Sequence, residues 1–229
     1  MNDGTLSSVE PPAGTDAAEA AYTFPWPPPA EESPLTAFFR TWRDSLFSPA
    51  RFFRAMPEAG SGGAALLYFL IIGVIAAAFG LFWQMLFRMA LGAAPRMLPQ
   101  LAALGAQSEP WSPLIGFLLS PLFLLIEIGI AFVVIHVLLY ILGGARRGAG
   151  TTFRVLCFAY GPMVFTLIPG LGGFAGGIWM LVLAIIGLRE AHRTDAWRAA
   201  VAVLVPVALA LMLVVVMAIV ATVAAVQLM

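Results

Sequence analysis

The sequence predicts an all-α, polytopic membrane bundle of five transmembrane helices preceded by interfacial amphipathic helices, and three observations predict it. Of 229 residues, 61% are hydrophobic and 10% charged, whereas a soluble globule carries about a quarter charged residues. Five apolar runs fill most of the chain, at residues 64–87, 113–142, 153–168, 171–188 and 199–226. The twelve cationic side chains are all Arg and fall between those runs in alternation.

A helix rises about 1.5 Å per residue and a bilayer core is about 30 Å thick, so roughly 20 residues cross it. The first, second and fifth runs exceed that length; the third and fourth are short. Arg40, Arg43, Arg51 and Arg54 precede the first run, and Arg88 and Arg96 follow it. Arg146, Arg147 and Arg154 follow the second, and Arg189, Arg193 and Arg198 precede the fifth. A cytoplasmic N-terminus puts ten Arg inside and two outside. The positive-inside rule therefore predicts a multi-pass protein with its N-terminus cytoplasmic and its C-terminus periplasmic or external. Abundant Ala, Gly and Arg with no Lys point to a GC-rich bacterial genome, hence to a bacterial inner membrane. No basic n-region with an apolar h-region opens the chain, so the first run is expected to direct insertion.

Three regions follow. Residues 1–33 hold six acids and no base, and seven Pro fall among the first 34 residues. Such a segment buries too little to fold and reads as a disordered cytoplasmic tail. Residues 34–58 read as interfacial helices. Ser33-Pro34 is a helix start, after which Leu35, Phe38, Phe39, Trp42 and Leu46 fall within an arc of about 100°. Ser48-Pro49 repeats the signal ahead of Phe52 and Phe53. With Arg on the other side, Phe38, Phe39, Trp42, Phe52 and Phe53 are the expected anchors in a surface of anionic lipid headgroups, packing on the bundle being the alternative. Residues 59–229 form the membrane domain.

Within that domain, residues 88–112 read as an irregular external loop with one helical turn near Leu98–Leu104. Pro121 either starts the second spanning helix or kinks it. The third and fourth runs read as a hairpin of short helices, bent at Gly161-Pro162 and joined through Pro169-Gly170. Gly172/Gly176 and Gly173/Gly177 make two overlapping ridges where helix backbones approach closely. A second copy or another membrane protein is the kind of partner such packing admits.

Only Glu127 and His136 are ionisable groups well inside a run, and an intramembrane charge is a site hypothesis by default. The two lie nine residues apart, pointing about 180° apart and separated by about 13.5 Å along a straight helix. They cannot line one pathway together. The alternative is structural: Glu127 protonated and hydrogen-bonded to a neighbouring helix, His136 joining helices. Glu190, His192 and Asp195 fall together in what reads as a solvated loop. The single Cys157 reads as a packing residue. No catalytic, metal, cofactor, phosphate-binding or nucleic-acid pattern is present.

Several stretches resemble the Yip family, five-pass membrane proteins sharing a Yip domain. They are Ser48-Pro49 with Phe52-Phe53, Leu142-Gly143-Gly144 through Thr152-Phe153-Arg154 to Tyr160 and Pro162, and Ile168-Pro169. Trp179, Ile186-Gly187-Leu188-Arg189-Glu190-Ala191-His192 and Val203 to Pro206 continue the likeness, which covers residues 45–226. The resemblance implies an inward N-terminus and an outward C-terminus. Eukaryotic members are associated with Rab-type GTPases and membrane traffic, but their Asp-Leu-Tyr-Gly-Pro signature is missing here, which places the chain with the bacterial branch and without Rab binding. Two functions stand open. One is a non-enzymatic membrane protein acting in membrane organisation or partner recruitment at the cytoplasmic face. The other is a transporter or channel component with Glu127 at its intramembrane site; Glu127, His136, Tyr160 and Thr166 are the polar groups available to it.

Overall fold

The computed structural model describes residues 22–92 and 111–227. Among them the chain forms seven α-helices, one 3-10 segment and no strand. In order these are α1 (Pro34–Phe47), α2 (Pro49–Arg54), α3 (Gly62–Gly92), α4 (Ser112–Ile141), α5 (Ala149–Ala159), the 3-10 segment (Gly161–Leu167), α6 (Leu171–His192) and α7 (Ala196–Gln227). Helices α3, α4, α6 and α7 are the 4 that are long and apolar enough to cross a membrane. Pro121 lies inside α4, which is one helix and not a lead-in followed by a second start. The helical turn expected near Leu98–Leu104 lies outside the described residues.

The third apolar run is not one helix. Its α-helix ends at Ala159, because Pro162 has no amide to give the Phe158 carbonyl and the chain tightens into the 3-10 segment. Helix α1 fills the break. The Trp42 indole Nε1 donates to the Gly161 carbonyl at 3.0 Å. A Cβ on Gly161 would stand 2.9 Å from both Leu46 Cδ1 and the Tyr68 hydroxyl, which is why glycine occupies this position.

The broken segment nevertheless advances alongside α3. The Phe69 and Tyr160 rings meet at 4.4 Å, Thr166 Oγ1 donates to the Ala76 carbonyl at 3.5 Å, and the Trp83 indole donates to the Leu167 carbonyl at 3.2 Å. From Phe69 to Trp83 is about 21 Å of helix. The return, α6, packs back along the 3-10 segment through Gly172 and Gly176. A Cβ on Gly172 would overlap the Phe165 carbonyl oxygen, and one on Gly176 would come 2.7 Å from the Pro162 oxygen. The second ridge is not used in this way: Gly173 would meet only a Thr166 methyl at 3.7 Å, and Gly177 meets nothing.

The densest packing lies toward the end where α3 begins and α6 finishes. Leu46, Phe52, Phe53, Tyr68, Phe69, Phe158 and Leu188 are fully or almost fully buried there. Phe52 and Phe53 therefore sit in the core and not on the headgroup surface; the Phe53 ring and Val155 close over Gly187. Of the five aromatics expected as anchors, Phe39 is the open one, at 56% exposure. Residues 22–33, which composition assigns to the tail, also lie against this core. Trp26 is buried and its indole donates to the Ala64 carbonyl at 2.6 Å. Phe24 packs on Phe52 and Phe158 with ring centroids 4.8 and 5.6 Å away. The folded unit thus starts ahead of residue 34, because two large rings offset the polarity of their neighbours.

At the opposite extreme, only 6% of the most apolar window of α7 is buried by the rest of the chain. Such a surface suits hydrocarbon, where an outward Leu or Val loses nothing.

Candidate functional site

Two polar constellations stand out, one at the Arg-rich end and one within the apolar bundle. The Arg-rich loops all meet at the same end. Arg154 Nη1 and Nη2 donate to the Pro57 and Glu58 carbonyls, each at 2.7 Å, and its Nε to the Gly150 carbonyl at 3.2 Å. Arg147 pairs with the Glu58 carboxylate at 2.9 Å. Arg54 pairs with Glu190 at 3.0 Å. Arg146 donates to the Arg193 carbonyl at 2.9 Å and Arg198 to the Gly143 carbonyl at 2.8 Å. A planar guanidinium suits such carbonyl pairs, since it offers several donors in a fixed fork. The α2–α3 linker is thereby fastened to α5, and α2 to α6.

Both histidines of the chain enter this end. The Arg147 backbone amide donates to His192 Nδ1 at 3.1 Å. That nitrogen is an acceptor, so the ring proton sits on Nε2, which faces the Thr152 hydroxyl at 2.9 Å. Thr152 in turn has its own proton for His136 Nδ1, also at 2.9 Å. The donors thus run one way, from amide to His192 to Thr152 to His136, through residues on α4, α5 and α6. The sequence singles out His136 but not its partners. The one visible signal is a pair of hydroxyls, Thr151-Thr152, at the edge of the third apolar run. His192 is fully buried and Glu190 nearly so, not in a solvated loop as expected. Glu190 is engaged by Arg54 and Arg189, and Asp195 by Arg198.

The second constellation surrounds Glu127. Midway along α4, it lines a cavity of about 590 Å³ bounded by α3, α4, α5, α6 and α7. Pro206 of α7 is on its wall, with Ala131, Ala159, Ala184 and Ala210 leaving room. Glu127 and Tyr160 bring its only side-chain polar groups. None of the hydrogen bonds or ion pairs among the described residues involves Glu127, so the hydrogen bond expected to a neighbouring helix is not seen among them. As the spacing predicts, Glu127 and His136 serve different places: one faces the cavity, the other the Thr152 chain.

Four long apolar helices, an Arg-rich end and a lipid-compatible surface define an all-helical, multi-pass integral membrane protein. The chain belongs to the Yip1 family, whose Yip1 domain matches residues 43–219. No curated protein and no solved structure matches it.

Proposed function

We propose that this Yip1-family protein is non-enzymatic and acts through the face formed by its Arg-rich end, which lies in the cytoplasm and organises anionic lipid or recruits a membrane-protein partner. The observation that carries this reading is the composition of that end. Beside the clamped Arg147 and Arg154, Arg43, Arg54 and Arg189 keep 65%, 55% and 54% of their side chains open. Leu35, Phe39 and Phe47 of α1 are exposed at the same end. Exposed Arg side chains, their guanidinium groups paired with Asp44 and Glu190, next to exposed apolar side chains suit the boundary between headgroups and acyl chains. The broken third segment is read as a full crossing beside α3, giving five passes and placing the C-terminus outside a bacterial inner membrane. The apolar lining of the Glu127 cavity argues against a water-filled path for a hydrophilic solute, which needs many more polar groups.

The test is lipid selection by the full chain. In nanodiscs of mixed phosphatidylcholine and phosphatidylglycerol, the lipid retained after detergent extraction should be enriched in phosphatidylglycerol. Replacing Arg43 and Arg189 with Gln, which leaves Glu190 paired with Arg54 and Asp44 bonded by Tyr22, or raising the salt, should abolish the enrichment. Equal retention of both lipids by the unmodified chain would sink this reading.

A further inference from the structure

We propose that the Glu127 cavity is an intramembrane binding site for a lipophilic amine, a molecule with one protonated nitrogen on a hydrocarbon or aromatic body. This goes beyond action at the cytoplasmic face and does not depend on it.

The volume of about 590 Å³ falls within the range of roughly 300–1,000 Å³ typical of small-molecule sites. The wall is hydrocarbon except for a carboxyl and a phenol. Ile130, Val134 and Leu209 line it and are also exposed on the outer surface of α4 and α7. Its mouth therefore opens toward acyl chains, and an occupant arrives from the bilayer and not from water.

Charge complementarity selects the occupant. A carboxyl group in hydrocarbon is stable either neutral with hydrogen-bond partners or ionised beside a cation. Among the described residues none bonds to Glu127, and no Arg or His lines the cavity. An ammonium group brings the missing counter-charge. The Tyr160 ring, held against Phe69 at 4.4 Å, adds a π face that attracts the same cation. A carboxylic acid or an alcohol offers the neutral carboxyl only a hydrogen bond, whereas an amine takes its proton and leaves a charge-assisted ion pair, the stronger contact in hydrocarbon.

Tritiated dodecyldimethylamine is the probe, with the full chain captured in zwitterionic nanodiscs and empty nanodiscs subtracted. The unmodified protein should bind it saturably, near one per chain, while equimolar unlabelled dodecanol competes poorly. Glu127→Gln should weaken binding at least about tenfold, corresponding to about 1.4 kcal/mol, with its melting temperature in the absence of amine retained. Tyr160→Phe should leave binding in place but weaken it by less than Glu127→Gln. If Glu127→Gln does not fold, Ala210→Trp, which fills the cavity and leaves the carboxyl in place, should abolish saturable binding. Absence of saturable binding to the unmodified chain would overturn the proposal, as would equal binding by a folded Glu127→Gln or Ala210→Trp protein. Dodecanol competing as well as the amine would overturn the charge assignment.

Discussion

The Thr152 hydroxyl lies 2.9 Å from His192 Nε2 although forty residues separate them, and this contact ties α5 to the last turn of α6. Thr152 is fully buried, and its hydroxyl both accepts from His192 and donates to His136. Replacing it with Val keeps the shape and leaves two imidazole nitrogens without partners. Thr152→Val should destabilise the protein by about 1–3 kcal/mol, the cost of stranding buried polar groups, and Thr152→Ser should recover most of that. Melting of both variants in detergent checks the expectation.

Arg154 fixes the α2–α3 linker through the Pro57 and Glu58 carbonyls. Lysine retains the charge but loses the fork. Arg154→Lys should therefore expose the linker to protease and lower stability by about 1–2 kcal/mol. A built Cβ on Gly60 would overlap the Arg154 guanidinium, so Gly60→Ala should produce a milder form of the same exposure. Limited proteolysis of nanodisc-embedded protein, with cleavage mapped by mass spectrometry, measures both.

The two glycine ridges of α6 should separate sharply. Gly172 has the Phe165 carbonyl against it and Gly177 has open space. Gly172→Ala should cost about 1–3 kcal/mol through overpacking. Gly177→Ala should be neutral or stabilising by up to about 1 kcal/mol, since Ala is the better helix former. Equal melting temperatures for the two variants would contradict the packing described here.

Trp26 is buried, with its indole on the Ala64 carbonyl. Trp26→Ala should destabilise the fold by about 3–5 kcal/mol, a loss that a solvated tail could not cause. Thermal unfolding followed by far-ultraviolet circular dichroism reads it directly.

What the sequence discloses here follows from what kind of quantity each feature is. The long helices α3, α4 and α7 are legible because span length and apolarity are properties of a window; α6 reads as short because its apolar run stops at Leu188, whereas the helix continues to His192. The break at Gly161-Pro162 is legible from proline chemistry, but the 3-10 geometry after it depends on Trp42 and Leu46 arriving from α1. Composition averaged over the first 33 residues conceals Phe24 and Trp26, whose burial outweighs the prolines around them. Phe52 and Phe53 mislead for the opposite reason: an amphipathic edge does not say whether lipid or protein covers it. The meeting of His136, Thr152 and His192 is a tertiary fact with no local signature. Glu127 is visible at once as a carboxyl in an apolar run, while its place on a cavity wall requires five elements to be packed.

The proposed five-pass arrangement needs an odd number of crossings, with the broken α5 and 3-10 segment traversing the bilayer. Paired green-fluorescent-protein and alkaline-phosphatase fusions at residue 1, within the loop at Arg147 and after Met229 test this directly. The first two positions should be fluorescent and phosphatase-inactive, and the last should be phosphatase-active and dark. Fluorescence after Met229, or phosphatase activity at Arg147, would contradict the five-pass arrangement and the cytoplasmic placement of the Arg-rich end.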